Sequence, residues 1–180
     1  MKKINLFVLA VSVFFYMSCN EATEKKTNVK EIKTEVESKG QSSVVDEDSD
    51  PNALQVAKSL DDFKTLVVAV KAAGVEDALV NAGPLTVFAP VNSAFDKLPE
   101  GTVATLLKPE NKSQLAYILK NHVAPANFPV KTLEKNIRKN RKLYMASGKY
   151  LEVTKKGNDL YVGGTKILKS VKVSNGWVHV

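Results

Sequence analysis

The stretch Leu85–Phe95, LTVFAPVNSAF, constrains the fold more than any other part of the chain. Its opening Leu-Thr-Val-Phe-Ala favours a strand, because β-branched and aromatic side chains pack well on a pleated surface. Pro90 ends that strand, since its nitrogen has no hydrogen to give to a ladder. Asn92 and Ser93 suit a helix start. Asn92 is therefore expected to cap the short helical turn that Ala94 and Phe95 open, with Phe95 folding back on the strand. A strand that turns directly into a helix builds the corner of a core. The corner carries no nucleophile–base pair and no metal ligands, and Asn92-Ser93 lack the framework that activates a serine. It points to binding and structure, not to catalysis.

The chain has 180 residues and a formal charge of +7, enough for one domain plus extensions. Residues 1–18 read as a signal peptide: Lys2 and Lys3 precede the apolar run Ile4–Tyr16, and Ser18 stands before Cys19. That run is shorter than the ~20 residues needed to span a bilayer. Cys19 is the single cysteine, so no internal disulfide forms. Its position resembles that of the lipidated cysteine of a bacterial lipoprotein, although Tyr16 stands where leucine is usual. A plain signal peptide or an uncleaved anchor is the alternative. Residues 19–50 read as a mildly acidic tether, with too few apolar side chains to offset the entropy of folding.

The domain is expected over 51–180. Helices are expected at Asn52–Ser59, from Ser59 as a cap to Gly74, and over Val75–Val80. In the second, Phe63, Leu66, Val67 and Val70 fall at helical spacing and Asp62 favours its N-terminus. Thr102–Leu107 reads as a helical turn. Asn111 with Gln114 reads as a capping box for a helix whose inner face is Leu115, Ile118 and Leu119 and whose end is His122. Lys131–Lys135 reads as a further turn. Short strands are then expected at Leu143–Met145, Tyr150–Val153, Leu160–Val162, Ile167–Val173 and Trp177–Val180, with Ser147-Gly148, Gly157-Asn158 and Asn175-Gly176 as turn signals. Helices first and strands later argue for an α+β fold.

His122 and His179 are the only histidines. They read as packed, backbone-satisfying side chains rather than as a metal or proton-transfer site. Trp177 and His179 share one strand face, with Val178 and Val180 on the other. Gly163-Gly164 reads as a turn or bulge, because the strand–glycine–helix context of a phosphate loop is missing. Tyr144, Tyr150 and Tyr161 read as core or rim, with contact to sugar as the alternative if exposed. The late half is strongly basic, densest over Asn136–Lys142, where Arg138, Lys139, Arg141 and Lys142 cluster. Two readings stand: a site for anionic glycans, surface polymers or lipid head groups, or a solvated face that keeps strands from pairing.

Three stretches in order resemble the fasciclin domain family: LTVFAPVNSAF (85–95) its first signature, LKNHVAP (119–125) its central histidine segment, and SNGWVHV (174–180) its second signature. The resemblance implies a wedge of α+β class, with N-terminal helices packed on a β-sandwich-like set of short strands. It also implies adhesion without enzymatic activity, cofactor or metal. The signature positions here are Thr86, Phe88, Ala89, Pro90, Asn92, Phe95, His122, Asn175, Gly176 and His179. In many members tyrosine precedes the central histidine and is associated with integrin binding; here Asn121 stands there. The family pattern also continues past the second signature with a further strand segment, whereas this sequence stops at Val180; the terminus is either naturally short or truncated, and an incomplete closing strand would leave an unpaired edge. The resulting expectation is a lipid-anchored adhesion module of a bacterial envelope, at the cell surface. Its partner would be an extracellular protein, glycan or anionic polymer, met by Asn121, His122 and the basic cluster. Nucleic acid is not expected behind a secretion signal. A periplasmic accessory module of an envelope complex is the alternative.

Overall fold

The computed structural model describes residues 50–180 apart from Ala82. The signal peptide, Cys19 and nearly all of the tether lie outside the described residues. Seven α-helices are present among them: α1 (Ala53–Ser59), α2 (Lys64–Ala73), α3 (Glu76–Asn81), α4 (Asn92–Phe95), α5 (Thr102–Leu106), α6 (Lys112–Lys120) and α7 (Val130–Arg138). Nine short strands accompany them: β1 (Leu85–Phe88), β2 (Val123–Ala124), β3 (Leu143–Tyr144), β4 (Tyr150–Leu151), β5 (Val153–Lys156), β6 (Asp159–Val162), β7 (Thr165–Lys166), β8 (Ser170–Val173) and β9 (Gly176–His179).

The principal sheet runs β2-β1-β9-β8. β1 lies antiparallel to β2, parallel to β9, and β9 antiparallel to β8. The last strand is thus an interior strand, hydrogen-bonded on both sides. Side chains alternate across a strand, and here the alternation divides two cores. Leu85, Val87 and Ala89 face one core with Val173, Val178 and the buried sides of α1, α2 and α6. Phe88 faces the other, built from Ala124, Leu133 of α7, Leu143, Met145, Val153, Leu160 and Val162. The β3–β4 hairpin and the β5-β6-β7 sheet cover that second side. The α+β architecture expected from the order of elements is the one observed.

Several local expectations are corrected. Asn92 does not cap its own helix, whose N-cap is Val91. Its Oδ1 accepts from the Thr65 amide at 3.1 Å and its Nδ2 donates to the Asp61 carbonyl at 2.9 Å. It therefore caps the start of α2 from across the corner, where first-turn amides lack helical partners. Ser59 ends α1, its hydroxyl donating back to the Val56 carbonyl, and a 3₁₀ turn at Asp61–Phe63 leads into α2. Asn111 makes no cap; its Nδ2 reaches the Thr105 carbonyl instead. The capping box that does form is Asn52 with Gln55, at the start of α1. α7 is longer than the expected turn and takes in Arg138. It is followed by Asn140 in the left-handed region, φ 48°, which lets the chain turn sharply into β3. The expected strand at Tyr150–Val153 breaks at Glu152, where the chain leaves β3 and joins β6. Residues 167–169 lie outside the strands.

Gly176 is fixed by close approach. Its φ is +147°, and a Cβ added there would fall 1.7 Å from the Leu85 carbonyl oxygen. Only glycine lets β9 pair with β1 at this point. The preceding Asn175 ties three elements to the hairpin. Its Oδ1 accepts from the Ala53 amide, its Nδ2 donates to the Leu79 carbonyl at 2.7 Å, and its own carbonyl accepts from the Leu85 amide.

Candidate binding surface

The two signature segments meet at one residue. Thr86 is fully buried; its hydroxyl donates to the Ala126 carbonyl at 2.8 Å and accepts from the Phe128 amide at 2.9 Å. His179, also buried, contacts the Phe128 carbonyl through Nε2 at 2.8 Å and the Ser170 hydroxyl through Nδ1 at 2.8 Å. A carbonyl only accepts, so Nε2 carries the proton and Nδ1 accepts from Ser170. Every polar atom of this ring is satisfied in the neutral form. Burial pushes the His179 pKa down, and the bond to the Phe128 carbonyl opposes that shift. Phe88 stacks on this ring at 5.4 Å and Trp177 at 6.3 Å, and the Ala89 amide donates to the His179 carbonyl. Thr86 and His179 thus pin the segment 125–129, which bridges β2 and α7.

The central segment divides in two directions. Asn121 Oδ1 accepts from the Ser147 hydroxyl at 2.6 Å, which fastens the end of α6 to the tip of the β3–β4 hairpin. His122 turns the other way: its Nδ1 donates to the Ile118 carbonyl at 2.9 Å, and its ring borders an apolar cavity beneath the N-terminal helices. Asn121 and His122, adjacent in sequence, therefore do not form one site.

Beside the Asn121–Ser147 link lies an exposed aromatic surface. Tyr144 and Tyr150 are directly cross-strand, with ring centroids 5.3 Å apart and planes tilted by 57°. They are 49% and 64% exposed. No described residue covers this face of the two-stranded hairpin, so the rings stand at the rim and not in the core. From the same hairpin Lys149 places its ammonium 5.5 Å from the ring centre of Tyr117, an exposed residue of α6. Tyr117 was not singled out in the sequence, although its offset from the inward Leu115 and Leu119 points it outward.

The basic cluster is only partly free. Lys142 pairs with Glu152 at 2.9 Å, and Arg138 lies one turn after Glu134, whose carboxyl it helps Lys155 hold below its ordinary range. Lys139 and Arg141 are exposed and make no ion pair among the described residues. Those residues contain no group of three metal-ligating side chains, and no helix among them is long and apolar enough to cross a membrane. None of their buried side-chain nitrogens or oxygens lacks a hydrogen-bond partner.

The buried polar side chains of the described residues are satisfied within the chain, and the aromatic and cationic side chains of this surface lie outside. Comparison with known proteins gives the class. Residues 61–180 match the fasciclin domain family. The chain is 39% identical over 150 residues to Protein sll1483 of Synechocystis sp., covering 81% of each. It is 35% identical over 102 residues to Immunogenic protein MPT70 of Mycobacterium tuberculosis, covering 56% of this chain and 49% of that one. It is 30% identical over 182 residues to Transforming growth factor-beta-induced protein ig-h3 of Sus scrofa, but spans only 24% of it. Among solved structures, a FAS1 domain pair from the insect cell adhesion molecule fasciclin I superimposes with a TM-score of 0.65 at 17% identity, covering 72% of this chain and 49% of that one. The chain belongs to the fasciclin domain family, whose domains are non-catalytic binding modules.

Proposed function

We propose that this chain is an adhesion module of a bacterial envelope, held to a membrane by a lipid on Cys19 and binding extracellular glycans through its exposed tyrosines. The observation that carries the ligand class is the exposed cross-strand pair Tyr144–Tyr150. Exposed, clustered aromatic side chains mark interaction sites, and tyrosine combines a large apolar face with a hydroxyl that stays hydrated. Asn121 and Ser147, linked beside it, are polar groups able to address sugar hydroxyls. The apolar run before Ser18-Cys19 supports the anchor.

The test is binding of the full chain, and of its Tyr144→Ala/Tyr150→Ala variant, to an array of glycans and matrix proteins at two salt concentrations. A selective glycan signal that survives high salt and disappears in the variant is expected. Signals confined to polyanions, lost with salt and kept by the variant, would move the binding to Lys139 and Arg141. For the anchor, Cys19→Ser should release the protein from membranes; unchanged retention would refute it.

A further inference from the structure

We infer that the cavity beneath the N-terminal helices is a binding site for a small amphiphile: an apolar body with one anionic head, of the class of a medium-chain carboxylic acid. This site is separate from the tyrosine surface and does not depend on the adhesion reading.

The cavity has a volume of about 210 Å³. Leu54 and Ala57 of α1, Leu66 and Val70 of α2, and Leu85 and Val178 of the sheet contribute to its wall. Apart from Ala57, each of these is at most 5% exposed and forms the floor, while half-buried Val67, Val75 and Val123 and exposed Ala78 form the rim, so the space is a pocket that opens to the surface above the core. Protein interiors rarely leave voids larger than a water molecule. An apolar cavity of about 150 Å³ stays dry and takes up benzene; this one accommodates a body larger than a single ring. Its apolar wall, which includes Phe63 and Phe88, offers water few partners, so an apolar guest is favoured over solvent.

One end of the cavity differs in chemistry. Lys120, His122, Pro125 and Ala146 border it there, and Lys120, Pro125 and Ala146 are exposed, so this end reaches the surface. Lys120 makes no ion pair among the described residues. The His122 ring spends Nδ1 on the Ile118 carbonyl, which leaves Nε2 without a partner among those residues and unsealed. With the ring proton on Nδ1, that nitrogen accepts from a hydroxyl. The Lys120 ammonium at the mouth of an apolar pocket matches a negatively charged oxygen head whose tail fills the interior. A few polar groups at the edge of an apolar pocket is the general plan of small-ligand sites.

Calorimetric titration of the full chain with octanoate and with octanol tests this. Saturable binding of octanoate, about one per chain, is expected. Lys120→Gln should weaken octanoate about tenfold while leaving octanol within about twofold, since only the charged head loses a partner. Ala57→Leu, which fills the cavity, should abolish binding of both and raise the melting temperature. Absence of saturable octanoate binding by the folded chain overturns the proposal, as does undiminished binding in Ala57→Leu. Should that variant not fold, the Lys120→Gln comparison decides: equal effects on octanoate and octanol overturn it.

Discussion

Replacing Thr86 by valine removes one oxygen atom and almost nothing else. The side chain is fully buried and its two methyl-sized branches keep their shape, so packing is preserved. The Phe128 amide and the Ala126 carbonyl, however, both lose their partner on this residue. A buried backbone group left unpaired costs about 1–3 kcal/mol, and the half-buried 126–128 segment argues for the lower part of that range at each. The expected loss is therefore about 2–3 kcal/mol. Thr86→Ser makes the opposite change: it keeps both hydrogen bonds and loses one methyl group, which costs about 1 kcal/mol. The order of stability should be threonine, then serine, then valine. Accounting by hydrophobic burial alone gives the reverse order for the two variants, so the pair isolates the hydrogen bonds. Equilibrium urea denaturation reads the difference. With a slope of roughly 2 kcal/mol per molar urea, valine should lower the midpoint by about 1 M and serine by about 0.5 M. A valine variant as stable as the serine variant would refute the claim that Thr86 holds the 126–128 segment through its hydroxyl.

Asn92→Ala should lower stability by ~1 kcal/mol; because the cap acts across the corner, hydrogen exchange should quicken at the Thr65 amide and not at the amides of α4, and the reverse pattern would restore the local-cap reading. His179 should impose a pH dependence. Its folded pKa lies below the ordinary value of 6.5, so the unfolded chain takes up a proton first as pH falls. Its contribution to stability is therefore full above about pH 7 and is lost as pH drops through 6.5 toward the lowered value. Glu134 and Glu152, held down by Lys155 and Lys142 from a value of 4.5, begin to act only at lower pH. Unfolding of His179→Gln across this range should show the carboxylate step but not the earlier one; persistence of the earlier step would assign it elsewhere.

What the sequence disclosed and what it hid follow a physical division. The corner at Leu85–Phe95 is legible because proline, asparagine and β-branched residues act on the backbone beside them. The expected alternation at Trp177–Val180 holds because the strand is walled on both faces: Val178 enters one core and Trp177 and His179 stack on the other side. Caps were misplaced at Ser59, Asn92 and Asn111, because a side-chain amide or hydroxyl goes to whichever unpaired group the tertiary structure presents, and that group is often remote. Asn92 finds Thr65, and Asn175 finds Ala53 and Leu79. The candidate surface was legible only in part. Asn121 and His122 are adjacent, yet the chain leaves α6 between them and sends one side chain to the hairpin and the other to the cavity. Tyr144 and Tyr150 alternate with apolar residues as core residues do. Only the exposure of both rings in the folded domain shows that no described element covers them.

A single strand that walls two cores also sets where the chain can change its length. Deleting one residue within 85–89 would move each following side chain to the opposite face. The Thr86 hydroxyl would then enter the aliphatic core and a leucine or valine would meet the Phe128 backbone. Both sides of the molecule would fail together, and the adjoining strand could not compensate, since Gly176 is matched to Leu85 alone. The turns at Gly157-Asn158 and Gly163-Gly164 face no such constraint, because each connects strands at the periphery of a small sheet. Insertions, peptide tags or a grafted loop belong at those two turns, while β1 accepts exchange of side chains only at fixed length.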